Sequence, residues 1–469
     1  MTSISKLIVS ETDRRWEHTV VILLLTVQAG MLAWIGCRNS PTLDEVAHLP
    51  AGISHWHFGN FSLYNVNPPL VRAVAASPML LVRPQTDWNQ FNPDTHLRSE
   101  FSIGHDFIIA NGSNSFWYFT LARWACIPLI LIGGFFCYLW ARCLYGHAAG
   151  VASLLLWCFS PNIMGNAAMI TPDAAAASMG LMAGFFFWRW LKQPTWQSTV
   201  ISGLGLGVAA LTKSTWIVLF GLWPTLWFIW RLGGPKRIGA EDKPAIHSST
   251  PLASPSFLRL IMTLAIGLYI INLGYGFEES FTSLRQFKFV SHSLGGPNAY
   301  ASPGSRFTDS SLGRLLIPLP ANYLRGLDIQ RYDFEIDKWS YLFGEQKPGG
   351  WWYWYLVALT VKTPTGTIIL AILALIRVAR AGQSAKTWHD EFVLLMPAVT
   401  IFLLVSSQIA FSRYFRYLLP AFPFCFVWLA GVCALRTDRA LALADLWTCG
   451  VMLVYCQQPL RISAQSFLF

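Results

Sequence analysis

Runs of roughly 20 mostly apolar residues recur along almost the whole chain, and that is the length a helix needs to cross a bilayer. Eleven can be read, at 18–37, 116–142, 148–164, 173–191, 199–211, 216–231, 257–275, 351–376, 392–409, 415–435 and 441–456. The fifth is short, and Lys213 is the only charge between it and the sixth, so the two read as a hairpin turning at Lys213. Composition agrees: 54% of residues are hydrophobic and 12% charged, against about 25% charged in a soluble domain. The expectation is an all-α polytopic membrane protein. The first run is too long and too poorly flanked for a cleaved signal peptide, and reads as a retained anchor.

Short loops give a topology. Arg14 and Arg15 precede the first run, which places the N-terminus in the cytoplasm, and every later loop on that side is basic. Two segments of about 75 residues, 38–115 and 277–350, then fall on the outer side, long enough to be folded and functional. The cytoplasmic stretch 232–256 is rich in Gly, Pro and Ser and reads as a linker. The net charge of +10 is spread over short loops, which fits anionic lipid headgroups and not nucleic acid. Nine cysteines, 37, 126, 137, 143, 158, 425, 433, 449 and 456, include no Cys-x-x-Cys pair, so neither a disulfide framework nor a cysteine metal site is indicated. No internal repeat is visible, which weakens a transporter reading.

The acidic pair Asp44-Glu45, with His48, sits just past the first run. Charge so close to a bilayer is costly to desolvate and usually has a task. A short amphipathic helix over 44–58 is expected on the outer membrane surface, started by Thr42 or Pro41. Asp44, His48, Gly52 and His55 would share one face, and Leu49, Ile53 and Trp56 another. Capping by Asp44 would explain one acid and leave Glu45 and His48 without a reason. Glu45-x-x-His48 beside His55 and His57 invites a metal reading, but no remote ligand set is identifiable. Asn67-Pro68 predicts a helix start, with Asn67 as cap and Pro78 as stop. Arg72 on that helix would face an anionic ligand or a lipid phosphate. In the second outer segment, Phe277, Phe281, Leu284 and Lys288 have helical spacing, 291–309 reads as a mobile lid, and 339–354 as an aromatic interface belt.

Several motifs fall in a telling order: Asp44 to Gly52, Gly59-Asn60-Phe61, Asn67-Pro68-Pro69-Leu70, Thr171-Pro172-Asp173, and Gly205-x-Gly207 to Lys213. They continue with Leu319-Pro320 through Gly326, Tyr341-Leu342-x-Gly344, Val361-Lys362-Thr363-Pro364, and Arg416 to Pro420 with Pro423. Together they resemble the GT-C glycosyltransferases, in particular bacterial family 39 enzymes related to protein O-mannosyltransferases and the aminoarabinose transferase of lipid A. The resemblance runs from residue 43 to about 423. It implies a single GT-C domain over 1–469, with about 11 transmembrane helices and juxtamembrane helices in the outer loops. It also implies a hexosyl- or pentosyltransferase on the outer face of a bacterial cytoplasmic membrane. The donor would be a polyprenyl-phosphate sugar and the acceptor a hydroxyl of protein, lipid or glycan.

The resemblance assigns the general base to Asp44, with inversion at the sugar. Glu45 would position the acceptor or assist. The departing phosphate needs fixed cations, for which Lys213, Arg413 and Arg416 are candidates, with Lys362 as one that also suits snorkelling. Asp173 would hold a divalent cation, orient sugar hydroxyls or cap its helix, and His48 would tune Asp44 or bind metal. No cofactor is required, and a divalent cation stays open. Asn67 stands where relatives often carry His or Lys, and the chain ends soon after residue 462, where relatives often continue with an outer portion. The rival readings are a lipid-linked-sugar flippase, which needs charges along a path through nearly uncharged spans, and a membrane metallohydrolase using Glu45 and His48.

Overall fold

Backbone polar groups in lipid must be satisfied within their own segment, so apolar runs fold as helices. The computed structural model describes residues 2–92, 98–233, 256–380, 388–408 and 414–434. Up to the second long segment the helices are α1 (Thr2–Arg38), α2 (Leu43–Phe58), α3 (Leu70–Ala76), α4 (Met79–Val82), α5 (Glu100–Asn111), α6 (Asn114–Tyr145), α7 (His147–Phe159), α8 (Pro161–Ala167), α9 (Pro172–Lys192), α10 (Trp196–Thr212), α11 (Leu219–Gly233) and α12 (Phe257–Gly274). Then follow α13 (His292–Gly295), α14 (Ala321–Glu335), an antiparallel hairpin of β1 (Trp339–Leu342) and β2 (Glu345–Pro348), α15 (Trp354–Lys362), α16 (Thr365–Arg380), α17 (Trp388–Ser406) and α18 (Phe422–Leu429).

The chain is a multi-pass membrane protein. Among the described residues, six helices are long and apolar enough to cross a bilayer, or eight if two bent pairs each count as one span. The run at 148–164 bends by 55° between α7 and α8, at Pro161. The run at 351–376, expected as one helix, is instead broken by 112° between α15 and α16. Its cause is Thr363-Pro364: the residue before proline is forced out of the helical region, and Thr363 sits at φ −94°, ψ 131°. The runs at 173–191 and 199–211 form α9 and α10, and the run at 441–456 lies outside the described residues, as does 234–255 of the linker.

α9 is the buried axis. Its small residues, Ala174 to Ala177, Gly180 and Gly184, let α6 and α10 close around it. The indole of Trp216 lies against Gly180 and donates to the Ala176 carbonyl at 2.8 Å. Gly203 and Gly207, one turn apart on α10, face Thr263, Ile266, Gly267 and Ile270 of α12, the close approach that small residues permit between helices in lipid.

α2 to α5 gather where α1 ends and α6 begins. α2 starts at Leu43, capped by Thr42, as expected. Nine of its sixteen residues are buried, Leu49 among them, because it packs between α3 and α5. Two departures follow from local chemistry. α3 begins at Leu70, not at Pro68, and α4 follows Pro78 directly. The expected helix at 277–288 is a series of turns, since Phe277, Glu279 and Phe281 all take positive φ, which breaks helical geometry. The start of 291–309, expected to be a mobile lid, is hydrogen-bonded to α14. Asp328 accepts from the Val290 and Ser291 amides at 2.7 and 3.1 Å, and Glu335 from those of His292 and Ser293 at 2.6 and 3.0 Å.

Gly180→Ala drives a methyl into the Trp216 ring and should cost about 1–3 kcal/mol. Gly30→Ala meets open space and serves as control. Thermal unfolding in detergent should show a lowered midpoint for Gly180→Ala alone.

Candidate active site

The first turn of α2 carries both acids, and they do different work. Glu45 is fully buried and closes a capping box, accepting from the Thr42 amide at 2.9 Å and the Thr42 hydroxyl at 3.0 Å. Arg123 of α6 grips the same carboxylate through Nε and Nη2, both at 2.7 Å, and the Ile170 amide donates to Oε1 at 3.1 Å. The remaining Arg123 protons go to the carbonyls of Gly36, Asn39 and Ser40. Fork and carboxylate are thus saturated, the one arrangement in which a buried ion pair is well tolerated. Glu45, expected to position or assist the acceptor, is a strut with its oxygens fully engaged. The capping weighed against a catalytic role for Asp44 falls instead to Thr42 and Glu45.

Asp44 is thereby left to face outward. Its Oδ2 lies 2.6 Å from Nη1 of Arg416, in the 3-10 segment Phe415–Ala421. Nε of the same guanidinium is ion-paired with Oδ2 of Asp173 at 3.8 Å, beyond hydrogen-bond reach, and has no hydrogen-bond partner among the described residues. Lys213 completes the group, with Nζ 2.5 Å from Oδ1 of Asp173. Asp173 does not cap α9, which begins at Pro172 with Thr171 as cap residue. Lys213 sits where α10 ends, in extended backbone at φ −153°, ψ 135°. Four charges drawn from four places in the sequence therefore form one neutral cluster. Tyr417 lies beside both cations, with its ring centroid 5.0 Å from Lys213 Nζ and 6.0 Å from Arg416.

A recess of about 120 Å³ opens beside Lys213 and Tyr417. Its walls are mainly apolar: Ile217, Val218, Leu327, Phe334, Leu404 and Val405. Lys213 gives it a cation, and Ser214, Thr215, Gln330 and Gln408 add polar groups to the lining.

The other expected site residues divide. His48 is buried against Tyr64, ring centroids 4.5 Å apart, and its Nδ1 has no partner among the described residues. Arg72 does not face lipid. It is buried, donating to His55 Nε2 at 3.3 Å and to the Asn67 carbonyl at 2.8 Å, with its guanidinium 5.2 Å from the Tyr64 ring. Asn67 is thus not the helix cap; its carbonyl anchors Arg72. Lys362 stands apart, exposed at the α15–α16 break and 5.9 Å from the Phe415 ring. Arg413 lies outside the described residues. Among those residues no group of three His, Cys, Asp or Glu side chains is placed to hold a metal.

Two participants were overlooked in the sequence. Arg123 lies inside the apolar run at 116–142, and an ionisable residue there is itself a signal. Tyr64 carries φ +61°, a strained value for an aromatic residue, and no sequence pattern announces it.

A family profile described as dolichyl-phosphate-mannose-protein mannosyltransferase matches residues 115–239. No curated protein matches the sequence. Among solved structures, the crystal structure of ArnT from Cupriavidus metallidurans bound to undecaprenyl phosphate superposes with a TM-score of 0.51 at 15% identity, over 91% of this chain and 62% of that one. This is a GT-C fold. The apo form of the same protein gives a TM-score of 0.49 at 15% identity, over 91% and 61%. The chain therefore spans less than two thirds of the length of these GT-C structures. Residues 115–239 contain α9, α10 and with them Asp173 and Lys213; Asp44 and Arg416 lie outside the matched stretch.

Two outcomes are expected. Arg123→Gln leaves Glu45 buried without its counter-ion and should cost about 3–5 kcal/mol, read as a fall in the thermal midpoint; an unchanged midpoint would contradict the strut. The second concerns pH. Desolvation, then Arg72, push the His55 imidazole down to about 3. Desolvation, then Arg72 and Arg416, take His48 well below its usual range. The unfolded chain binds these protons near pH 6.5 while the folded one does not, so stability falls as pH drops from about 6.5 towards 3. The slope is at most about 1.4 kcal/mol per pH unit for each His. Thermal midpoints recorded from pH 8 to 4.5 should show that decline, and His55→Gln should make it shallower, leaving the share of His48.

Proposed function

We propose that this chain transfers a sugar from a polyprenyl-phosphate donor to a hydroxyl acceptor on the extracytoplasmic side of a bacterial inner membrane. The observation that carries the reading is the paired-charge cluster of Asp44, Asp173, Lys213 and Arg416, of which Lys213 lines a mainly apolar recess. A polyprenyl phosphate has the matching anatomy, an anionic head on a hydrocarbon chain. The head would lie against Lys213 and Arg416, and the first prenyl units along Ile217, Leu327 and Phe334. The printed ligand of the ArnT structure, undecaprenyl phosphate, is a molecule of this class.

In this mechanism Asp44 acts as general base. The acceptor O–H gives its proton to Asp44 while the acceptor oxygen bonds to the anomeric carbon. The bond from that carbon to the phosphate oxygen breaks, and its electron pair leaves with the phosphate. Lys213 and Arg416 stabilise the charge as it builds, which a fixed cation does best in a site of low dielectric. A single displacement inverts the sugar. Asp173 holds Lys213 in place, and His48, neutral and one turn from Asp44, borders the acceptor side. The metallohydrolase alternative is disfavoured because Arg123, Thr42 and Ile170 take up the Glu45 oxygens.

The test uses full-length protein in nanodiscs with a panel of undecaprenyl-phosphate sugars and candidate acceptors. One donor should be consumed. Asp44→Asn should lower transfer by about 10²-fold or more while still binding donor, and Lys213→Gln should weaken donor binding. Turnover of Asp44→Asn at the wild-type rate would remove Asp44 from the mechanism.

A further inference from the structure

We infer that Arg416 holds Asp44 engaged until a donor phosphate displaces it, so that donor binding frees the base and precedes acceptor activation. The inference rests on the reading of the site as a polyprenyl-phosphate sugar transferase.

Three observations converge. First, two carboxylates and two cations are matched, so within the cluster no cation is surplus. A donor phosphodiester brings one negative charge to cations already paired, and gains its contacts by exchange rather than addition. Second, the two pairs differ in access. Asp44 and Arg416 side chains are 28% and 25% exposed, whereas Asp173 and Lys213 are 5% and 4% exposed. An incoming head group meets the Asp44–Arg416 pair first, and a partly hydrated pair is the weaker one to open. Third, Nε of the same guanidinium is ion-paired with Oδ2 of Asp173 at 3.8 Å, so Arg416 keeps a second anchor beside Lys213 when Asp44 lets go.

The exchange has a direct chemical consequence. Asp44 Oδ2, an oxygen available to take the acceptor's proton, is the one 2.6 Å from Arg416. When a phosphate oxygen takes the Arg416 N–H groups, that carboxylate oxygen becomes open to the acceptor O–H. The proton then moves to Asp44, the acceptor oxygen bonds to the anomeric carbon, and the phosphate leaves with the electron pair of its broken bond. The product phosphate monoester carries one more negative charge than the donor's phosphodiester and stays with Arg416 and Lys213. Without a donor, that oxygen stays engaged by Arg416.

The test measures binding of undecaprenyl phosphate to the full chain in nanodiscs, for wild type, Asp44→Asn, Arg416→Gln and the double variant. Vacating Arg416 should tighten binding by about threefold or more, and Asp44→Ala should behave the same way, so that the result does not depend on one variant folding well. In the Arg416→Gln background, removing Asp44 should change nothing, because the coupling is between these two residues. Binding no tighter in both Asp44 variants than in wild type would overturn the inference. So would equal tightening without Arg416, which reports only the lost negative charge. A wild type that does not bind undecaprenyl phosphate sinks the transferase reading itself, whereas wild-type binding with unmoved Asp44 variants sinks only the exchange.

Discussion

The buried pair of Glu45 and Arg123 is the constraint from which the site geometry follows. It joins the end of α1, the first turn of α2, α6 and the turn at Ile170 that leads into α9. Two of those elements carry the acids of the cluster, Asp44 next to Glu45 and Asp173 three residues after Ile170. A guanidinium in a membrane protein is costly unless each proton finds an acceptor. Here carboxylate and carbonyls supply them. What looks like a pair of catalytic acids is one structural acid that fixes the direction of the other.

The cluster that results is neutral, and only half of it is open. Charges in a setting of low dielectric interact strongly, so a matched set is the stable resting condition. That condition also defines what a ligand must bring. In the mechanism proposed above, an anion enters by replacing a carboxylate, and an apolar tail would lie in the recess beside Lys213. Stability and selectivity therefore come from the same pairing. The Arg72–His55 contact and the strained Tyr64 wall off the α2 side with side chains that carry no carboxylate.

Much of this was legible in the sequence, for physical reasons that differ by element. Long apolar runs announced α1, α6, α12 and α17, because helix is the available solution in lipid. Thr42 with Glu45 three residues later announced the start of α2. The gathering of Asp44, Asp173, Lys213 and Arg416 followed from their position at run ends. The division of labour between Asp44 and Glu45 was not legible, since it depends on Arg123, 78 residues away along the chain. The break at Thr363-Pro364 is written in its proline; the turns at 277–281 with their positive φ and the burial of Arg72 were not legible. Those are decided by tertiary neighbours or by backbone states that residue spacing does not encode.

The most direct measurement of the central claim is photo-crosslinking with a polyprenyl phosphate that carries a photoreactive group on its first prenyl unit, followed by peptide mapping. The account predicts labels on the recess wall, at residues 213–218, 327–334 or 404–405, competed away by undecaprenyl phosphate. Labels confined to other faces of the bundle, or labels that excess undecaprenyl phosphate leaves unchanged, would contradict it.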